Sequence, residues 1–322
     1  MKKPLIYITR KIPNEVIESY FDSFDIRMWE RADIPVPRDL LLKEMEHADA
    51  LLCLLTESID KELLEKATKL KIVANMAVGY DNVNIIAARN KGIIVTNTPD
   101  VLTDTTADLT FTLLMATARR IVEGNNFIKQ DKWEHWSPLL LAGSDIHHKT
   151  IGIVGMGRIG QAVAKRAKGF EMEILYHNRS RNFEAEQEFQ ATFCKIDELL
   201  DKSDFVVSLV PLTKETRYMF NKTSFQKMKS SAIFINVSRG QVVDEAALYN
   251  ALTSKEIAAA GLDVFGEEPI RSDHPLLNLE NVLCLPHIGS ASVETRMEMI
   301  ALCLENISRV FNGKEPKTPV RG

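Results

Sequence analysis

The stretch Ile151-Gly152-Ile153-Val154-Gly155-Met156-Gly157-Arg158-Ile159-Gly160 places a short apolar strand directly before a GxGxxG pattern, and the helix-like residues Gln161 to Lys168 follow it. In such a strand, turn and helix each glycine has a mechanical task. Gly155 makes the tight turn, Gly157 lets backbone approach a diphosphate, and Gly160 lets helix and strand pack closely. The helix start, with Arg158 and Ile159 in its first turn, offers unpaired N–H groups and partial positive charge to phosphate oxygens. This context predicts a dinucleotide-binding turn; a tight βα turn without a ligand is the alternative reading.

Which dinucleotide depends on the end of the next strand, where an NAD site places an acid for the ribose 2'-hydroxyl about 20 residues on. Here that strand ends in Tyr176-His177 and continues as Asn178-Arg179-Ser180-Arg181, with Glu171 and Glu173 at its beginning. Arg179 can pair with a 2'-phosphate through its planar fork, and Asn178 and Ser180 add neutral hydrogen bonds. NADP(H) is therefore expected over NAD(H). Arg179 and Arg181 as solvated surface charges are the alternative.

Farther out, short runs rich in Ile and Val alternate with helical-period segments in two series. Strands are expected near residues 5–9, 25–29, 50–55, 71–75 and 93–96, then 150–155, 173–177, 205–210, 232–237, 258–264 and 282–285. Unbroken runs such as Phe205 to Val210 imply parallel sheets covered on both faces. Helices are expected at 14–21, 60–67, 103–120 and 292–311. The 103–120 helix is read as a bridge between two domains, and 133–148 as an irregular excursion. The chain of 322 residues, 45% hydrophobic and 26% charged, suits about two domains of ~150 residues.

Forty basic against 44 acidic residues give a net charge of −4, so no strong field draws the molecule to nucleic acid or anionic lipid. The longest apolar runs, such as Leu109 to Ala118, fall short of the ~20 residues that span a bilayer. With no signal-peptide pattern at its start, the sequence is expected to be cytoplasmic. Cys53, Cys194, Cys284 and Cys303 lie in apolar surroundings without CxxC spacing. They read as reduced buried thiols, and no metal site is expected.

Three segments carry polar residues just past apolar strands, where open α/β sheets place ligands. They are Asn236 to Gly240, Gly261 to Pro269 and Leu285 to Ser290. Taken singly, Arg239 reads as a surface ion pair, Glu267-Glu268-Pro269 as a turn and His287 as a helix-entry residue. Together with Val78-Gly79-Tyr80-Asp81-Asn82-Val83, Asn97-Thr98-Pro99, Val101 to Asp108 and the glycine turn, the pattern resembles the D-isomer-specific 2-hydroxyacid dehydrogenase family. Within it, the glyoxylate/hydroxypyruvate reductase branch is the more similar. The spacing is 29 residues from Arg239 to Glu268 and 19 from Glu268 to His287.

The resemblance implies an α/β fold of two Rossmann-like lobes: a doubly wound parallel-sheet cofactor domain at 99–287, and a smaller flavodoxin-like substrate domain of 1–98 plus 288–322. An active site between the lobes is expected, with Arg239, Glu268 and His287 as the catalytic set. The chemistry suits these roles. Histidine, with an ordinary pKa near ~6.5, exchanges protons around neutrality. Glutamate can orient the ring and favour its protonated form, and arginine can hold a carboxylate while polarising a carbonyl.

By resemblance, Val78 and Gly79 present N–H groups to the substrate carboxylate, with Leu55 and its neighbour Leu54 on the other wall. Thr106 corresponds to a cofactor phosphate contact, Pro211 lies on the adenosine side, and Asp263 is placed for the nicotinamide carboxamide. Val237 and Gly289 join them as cofactor contacts. Trp136 resembles a tryptophan that reaches the substrate pocket of a partner subunit, which implies a homodimer; interior packing within one chain is the alternative. The implied reaction is NADPH-dependent reduction of glyoxylate or hydroxypyruvate, with 2-ketogluconate a further candidate. Another small 2-hydroxy acid with NAD, or a dinucleotide-sensing corepressor-like protein, are the competing functions.

Overall fold

The computed structural model describes residues 2–321, which divide into two compact units, Met1–Leu102 with Ser292–Gly322 and Thr103–Ala291. The expected switches were at 98/99 and 287/288. At the second switch, hydrogen bonds explain the displacement. Ile288 N and Gly289 N donate to Asp263, holding that turn to the second unit.

The first unit runs β1 (Leu5–Ile8), α1 (Asn14–Ile17), β2 (Asp25–Met28), α2 (Arg38–Met45), β3 (Ala50–Cys53), α3 (Lys61–Lys66), β4 (Ile72–Asn75), α4 (Ile85–Asn90) and β5 (Ile94–Thr96). Its strands pair in parallel in the order β2-β1-β3-β4-β5, the flavodoxin-like order. Tyr7, Leu51, Cys53, Val73 and Val95 pack with Leu41, Met45, Leu63, Leu64 and Ala88 from α2, α3 and α4. The C-terminal helix Val293–Phe311 packs on β3 and β4, burying Met299, Ile300, Cys303, Leu304 and Ile307. Helix-start side chains do the local work: Asp60, Asn84 and Ser292 each accept an N–H from the first turn that follows.

The second unit runs α5 (Thr103–Ala118), α6 (Ile121–Lys129), β6 (Thr150–Val154), α7 (Arg158–Gly169), β7 (Glu173–His177), α8 (Phe183–Phe189), β8 (Thr192–Phe193), α9 (Ile196–Lys202), β9 (Phe205–Ser208), α10 (Lys222–Gln226), β10 (Ile233–Asn236), α11 (Glu245–Thr253), β11 (Ala259–Leu262) and β12 (Val282–Cys284). The order β12-β11-β10-β9-β6-β7-β8 reverses between β6 and β9, the switch point of a doubly wound sheet. Alternate residues face opposite cores. Ile233 and Ile235 join Phe111, Leu113, Val163 and Ala167, while Phe234 joins Leu199, Phe225 and Leu248. At Gly261 a side chain would collide with Leu113 and Thr117, so this glycine admits α5 against the sheet.

Two expectations change. The helix read as a bridge between domains belongs to the second unit and packs on β10, β11, β12 and α7. It also ends at Ala118, and Arg120 in the left-handed region starts a separate helix, α6. From Asp131 to Lys149 the chain forms neither helix nor strand. Cys53, Cys194 and Cys303 are buried and Cys284 is partly so, all four as free thiols. Among the described residues no helix is long and apolar enough to cross a membrane.

Candidate active site

At the switch point, Gly155 adopts φ +107°, and a side chain there would meet the Leu209 backbone at 2.8 Å. Leu209 N in turn donates to Val154 O at 2.8 Å. Gly160 packs against the Gly155 carbonyl, whereas above Gly157 the space is open. Gly157 is also the N-cap of α7 and provides no side-chain cap, unlike the Asn182, Asn221 and Asp244 caps of α8, α10 and α11. An uncapped helix start beneath open space fits the diphosphate of a dinucleotide.

Past β7, Asn178 accepts from Met156 N at 2.8 Å and so ties the strand end to the glycine turn. Arg179 and Ser180 are exposed. Arg181 is engaged by Glu186, its Nε at 3.0 Å from Oε1, and lies over the Phe183 ring. Hydrogen bonds from Arg181 and Tyr176 hold the Glu186 carboxyl down to about 2. The free acid expected of an NAD ribose site is not at this strand end. Pro211 is exposed just past β9, its carbonyl accepting from Thr216 Oγ1 at 2.6 Å.

The second group lies beyond β10, β11 and β12. His287 Nδ1 is 2.6 Å from Glu268 Oε2, with side chains 24% and 27% exposed. A carboxylate only accepts, so the proton of this bond belongs to Nδ1, which leaves Nε2 for a substrate. Glu268 Oε1 accepts from Phe265 N at 2.9 Å, which fixes the carboxylate from both sides. His287 has φ 54°, a left-handed conformation that costs a non-glycine residue about 1–2 kcal/mol. Asp263 over-determines it: its carbonyl accepts from His287 N at 2.9 Å, and its two carboxylate oxygens accept from Ile288 N and Gly289 N, each at 2.8 Å. Burial raises the Asp263 carboxyl pKa, and these amides oppose the rise.

A side chain at Gly289 would touch Asp263, Thr106 and Val237 at 3.3, 3.4 and 3.5 Å, so the four residues form one cluster. Arg239 is half-buried, with Nη1 donating to Ser238 O at 2.8 Å and its own carbonyl held by Asn236 Nδ2 at 3.0 Å. The adjoining Gly240 abuts the Phe265–Gly266 backbone so closely that no side chain fits. The Arg239 and Glu268 segments are thereby in contact. Sequence reasoning missed two braces of this loop: Glu245 Oε1 accepts from Gly266 N at 2.7 Å, and Gln241 Nε2 donates to Gly266 O at 2.7 Å.

In the first unit, Leu55, Val78 and Gly79 lie in two neighbouring loops past β3 and β4 and are half-buried. Among the described residues no group of His, Cys, Asp and Glu could hold a metal ion. Trp136 is 79% exposed, which removes the interior-packing alternative for its ring.

Comparison with known proteins places these residues in context. Residues 111–289 match the family model described as D-isomer specific 2-hydroxyacid dehydrogenase, NAD binding domain. The chain is 50% identical over 322 residues to a glyoxylate reductase of Pyrococcus horikoshii, covering 99% of this chain and 96% of that one. A glyoxylate reductase of Thermococcus kodakarensis is 49% identical over the same shares. Among solved structures, a Thermus thermophilus protein superposes with a TM-score of 0.92 at 41% identity, covering 98% of this chain and 100% of the other. The NADPH-dependent glyoxylate/hydroxypyruvate reductase of Sinorhizobium meliloti, in complex with NADP and malonate, gives 0.86 at 35% identity over 99% and 97%.

Proposed function

This chain belongs to the D-isomer-specific 2-hydroxyacid dehydrogenase family and is a NAD(P)-dependent dehydrogenase, and on that premise we propose that it reduces glyoxylate or hydroxypyruvate to the D-2-hydroxy acid with NADPH. The observation that carries the reading is the His287–Glu268 pair at 2.6 Å, its proton directed by an acceptor-only partner. Its relatives named glyoxylate reductase, at about half identity along the whole chain, support the substrate class.

When bound, the nicotinamide supplies a hydride to the keto carbon. His287 delivers a proton from Nε2 to the carbonyl oxygen, and Glu268 stabilises the ring while it carries the extra proton. Arg239 takes the substrate carboxylate and polarises the carbonyl, placing positive charge where negative charge develops. In the first unit, Val78 and Gly79, with Leu55 beside them, are the proposed carboxylate contacts. Asp263, Thr106, Val237 and Gly289 wall the nicotinamide end, with both Asp263 oxygens already bonded to the His287 turn.

The preference for NADPH rests on Arg179. Arg181 is occupied by Glu186, so Arg179 is the guanidinium left for a 2'-phosphate, flanked by Asn178 and Ser180. Michaelis constants for NADPH and NADH test this: the wild type should favour NADPH, and Arg179→Ala should raise the NADPH constant about tenfold or more while sparing NADH. Equal constants in the wild type would overturn it. A homodimer is proposed from the exposed Trp133, Trp136 and Leu139 at 58%, 79% and 81%, with Trp136 reaching the partner's substrate pocket; a monomer in solution would remove it.

A further inference from the structure

The loops past β3 and β4 are gripped by asparagine amides that the reaction itself does not use: Asn75 at the end of β4, Asn82 in the loop after it and Asn97 just past β5. Asn97 Nδ2 donates to Val78 O at 2.8 Å, Asn75 Nδ2 to Gly79 O at 3.0 Å, and Asn82 Nδ2 to both Leu54 O and Glu57 O at 3.1 Å. Asn75 and Asn82 also bond to each other at 3.2 Å, and the reach of Asn82 to Leu54 and Glu57 stitches the two loops into one piece. An amide that faces two carbonyl oxygens must present nitrogen, which fixes the orientation of Asn82. Behind them lies a buried pair: Glu57 accepts from Arg10, Thr9, Thr56 and Leu54 N at 2.8, 2.6, 2.8 and 2.9 Å. Arg10 and Glu57 are 6% and 4% exposed, and a buried ion pair this fully bonded holds one geometry.

The consequence follows from peptide planarity. These peptides are trans, so each carbonyl points opposite to the N–H of the residue after it. Pinning the oxygens of Leu54, Val78 and Gly79 therefore turns the N–H groups of Leu55, Gly79 and Tyr80 the other way. Among the described residues none of these three N–H groups has an acceptor.

We infer that Asn75, Asn82 and Asn97 are positioning residues that aim the N–H groups of Leu55, Gly79 and Tyr80 at the carboxylate of a 2-keto acid. This rests on the reading of these loops as the carboxylate cradle and adds the residues that set its geometry. The amides do not touch the substrate. They act by removing the alternative peptide orientations that would turn carbonyl oxygens toward an anion.

The test uses the full chain with glyoxylate and NADPH. Asn97 is half-buried, unlike the buried Asn75, and pins one loop carbonyl where Asn82 holds two, so Asn97→Ala deletes one pinning bond with least harm to the core. It should raise the glyoxylate KM about tenfold, the size of one hydrogen bond, with kcat reduced less than about threefold. The NADPH dissociation constant should stay within about twofold. Asn97→Asp, which has no donor for Val78 O, should raise the glyoxylate KM at least as much, and Asn82→Ala should raise it through the Leu54 loop. A glyoxylate KM within about twofold of wild type in Asn97→Ala and Asn82→Ala, both folded and binding NADPH normally, would overturn the inference. Because wild-type turnover of glyoxylate is read in the same assay, that outcome is distinct from failure of the keto-acid reading, which would show as a wild type inactive on every keto acid tried.

Discussion

At the carboxyl end of the first sheet the loops are held by amides of Asn75, Asn82 and Asn97 that grip carbonyl oxygens, whereas at the same end of the second sheet carboxylates of Asp263, Glu268 and Glu245 grip N–H groups. Donor-fastened loops keep their N–H groups to offer, which suits an anion. Acceptor-fastened loops sit amid negative charge, which suits the guanidinium and imidazole that project from them. The division has exceptions: Leu54 N is held by Glu57, Gly266 O by Gln241 and Arg239 O by Asn236. It teaches that the sign of a bracing group follows the charge of what its loop presents.

The sharpest way to break this contrast is to remove what the acceptor-fastened loop presents. His287→Ala should lower kcat about 10²- to 10⁴-fold, the range for a general acid, with dinucleotide binding retained in a fluorescence titration. Turnover retained in His287→Ala would refute the proton-donor role.

Next in size is Asp263→Asn, which sets an amide nitrogen against a backbone N–H. Leaving that donor unsatisfied should cost about 1–3 kcal/mol in urea unfolding and should slow turnover, since the left-handed His287 loses one of its tethers. Glu245→Ala should matter less: Gly266 N loses its partner, and kcat should fall about tenfold with the NADPH constant unchanged. A loss confined to thermal stability would make Glu245 a brace of the fold alone.

The smallest effect lies away from both loop sets, at Glu186. Its carboxyl is held down at about 2 by Arg181 and Tyr176. A depressed carboxyl contributes stability above its unfolded value and loses it as pH falls from there through the folded value. The stability difference between wild type and Glu186→Gln should therefore be present at neutral pH and fade between about pH 5 and 2. A difference independent of pH would show that the bond, not the charge, matters.

The central strands were legible because both faces of each parallel sheet are covered there, so Ile and Val run with little interruption, whereas the two-residue β8 was not expected. Their ends were overdrawn where apolar residues continue into turns. Leu209 and Val210 extend the Phe205 run in sequence, yet β9 stops at Ser208 and the Leu209 backbone packs on Gly155 instead. Helices α8, α10 and α11 escaped the periodicity reading because they are short and depend on capping by Asn182, Asn221 and Asp244. Helix α6 follows so closely on α5 that only Arg119 and the left-handed Arg120 separate them.

In the candidate site, Glu268 and His287 stood out through the family resemblance, and the chemistry of their residue types suits the roles it implies. The bracing residues carried no such mark. Asn82 reaches Leu54 across 28 residues and Glu245 reaches Gly266 across 21, distances that only the folded chain closes. The one available signal for Asn82 was its place in the Val78–Val83 segment, where a polar side chain beside a glycine turn has carbonyls within reach.

Gly240 leaves no gap between its own segment and the Phe265 carbonyl. The guanidinium-bearing turn and the carboxylate-bearing turn are consequently a single mechanical part, although 29 residues separate Arg239 from Glu268. Transplanting either turn into a related scaffold would require moving both, together with a residue lacking a β-carbon at their seam. Loop exchange that respects only sequence continuity would jam there before any chemistry could be compared.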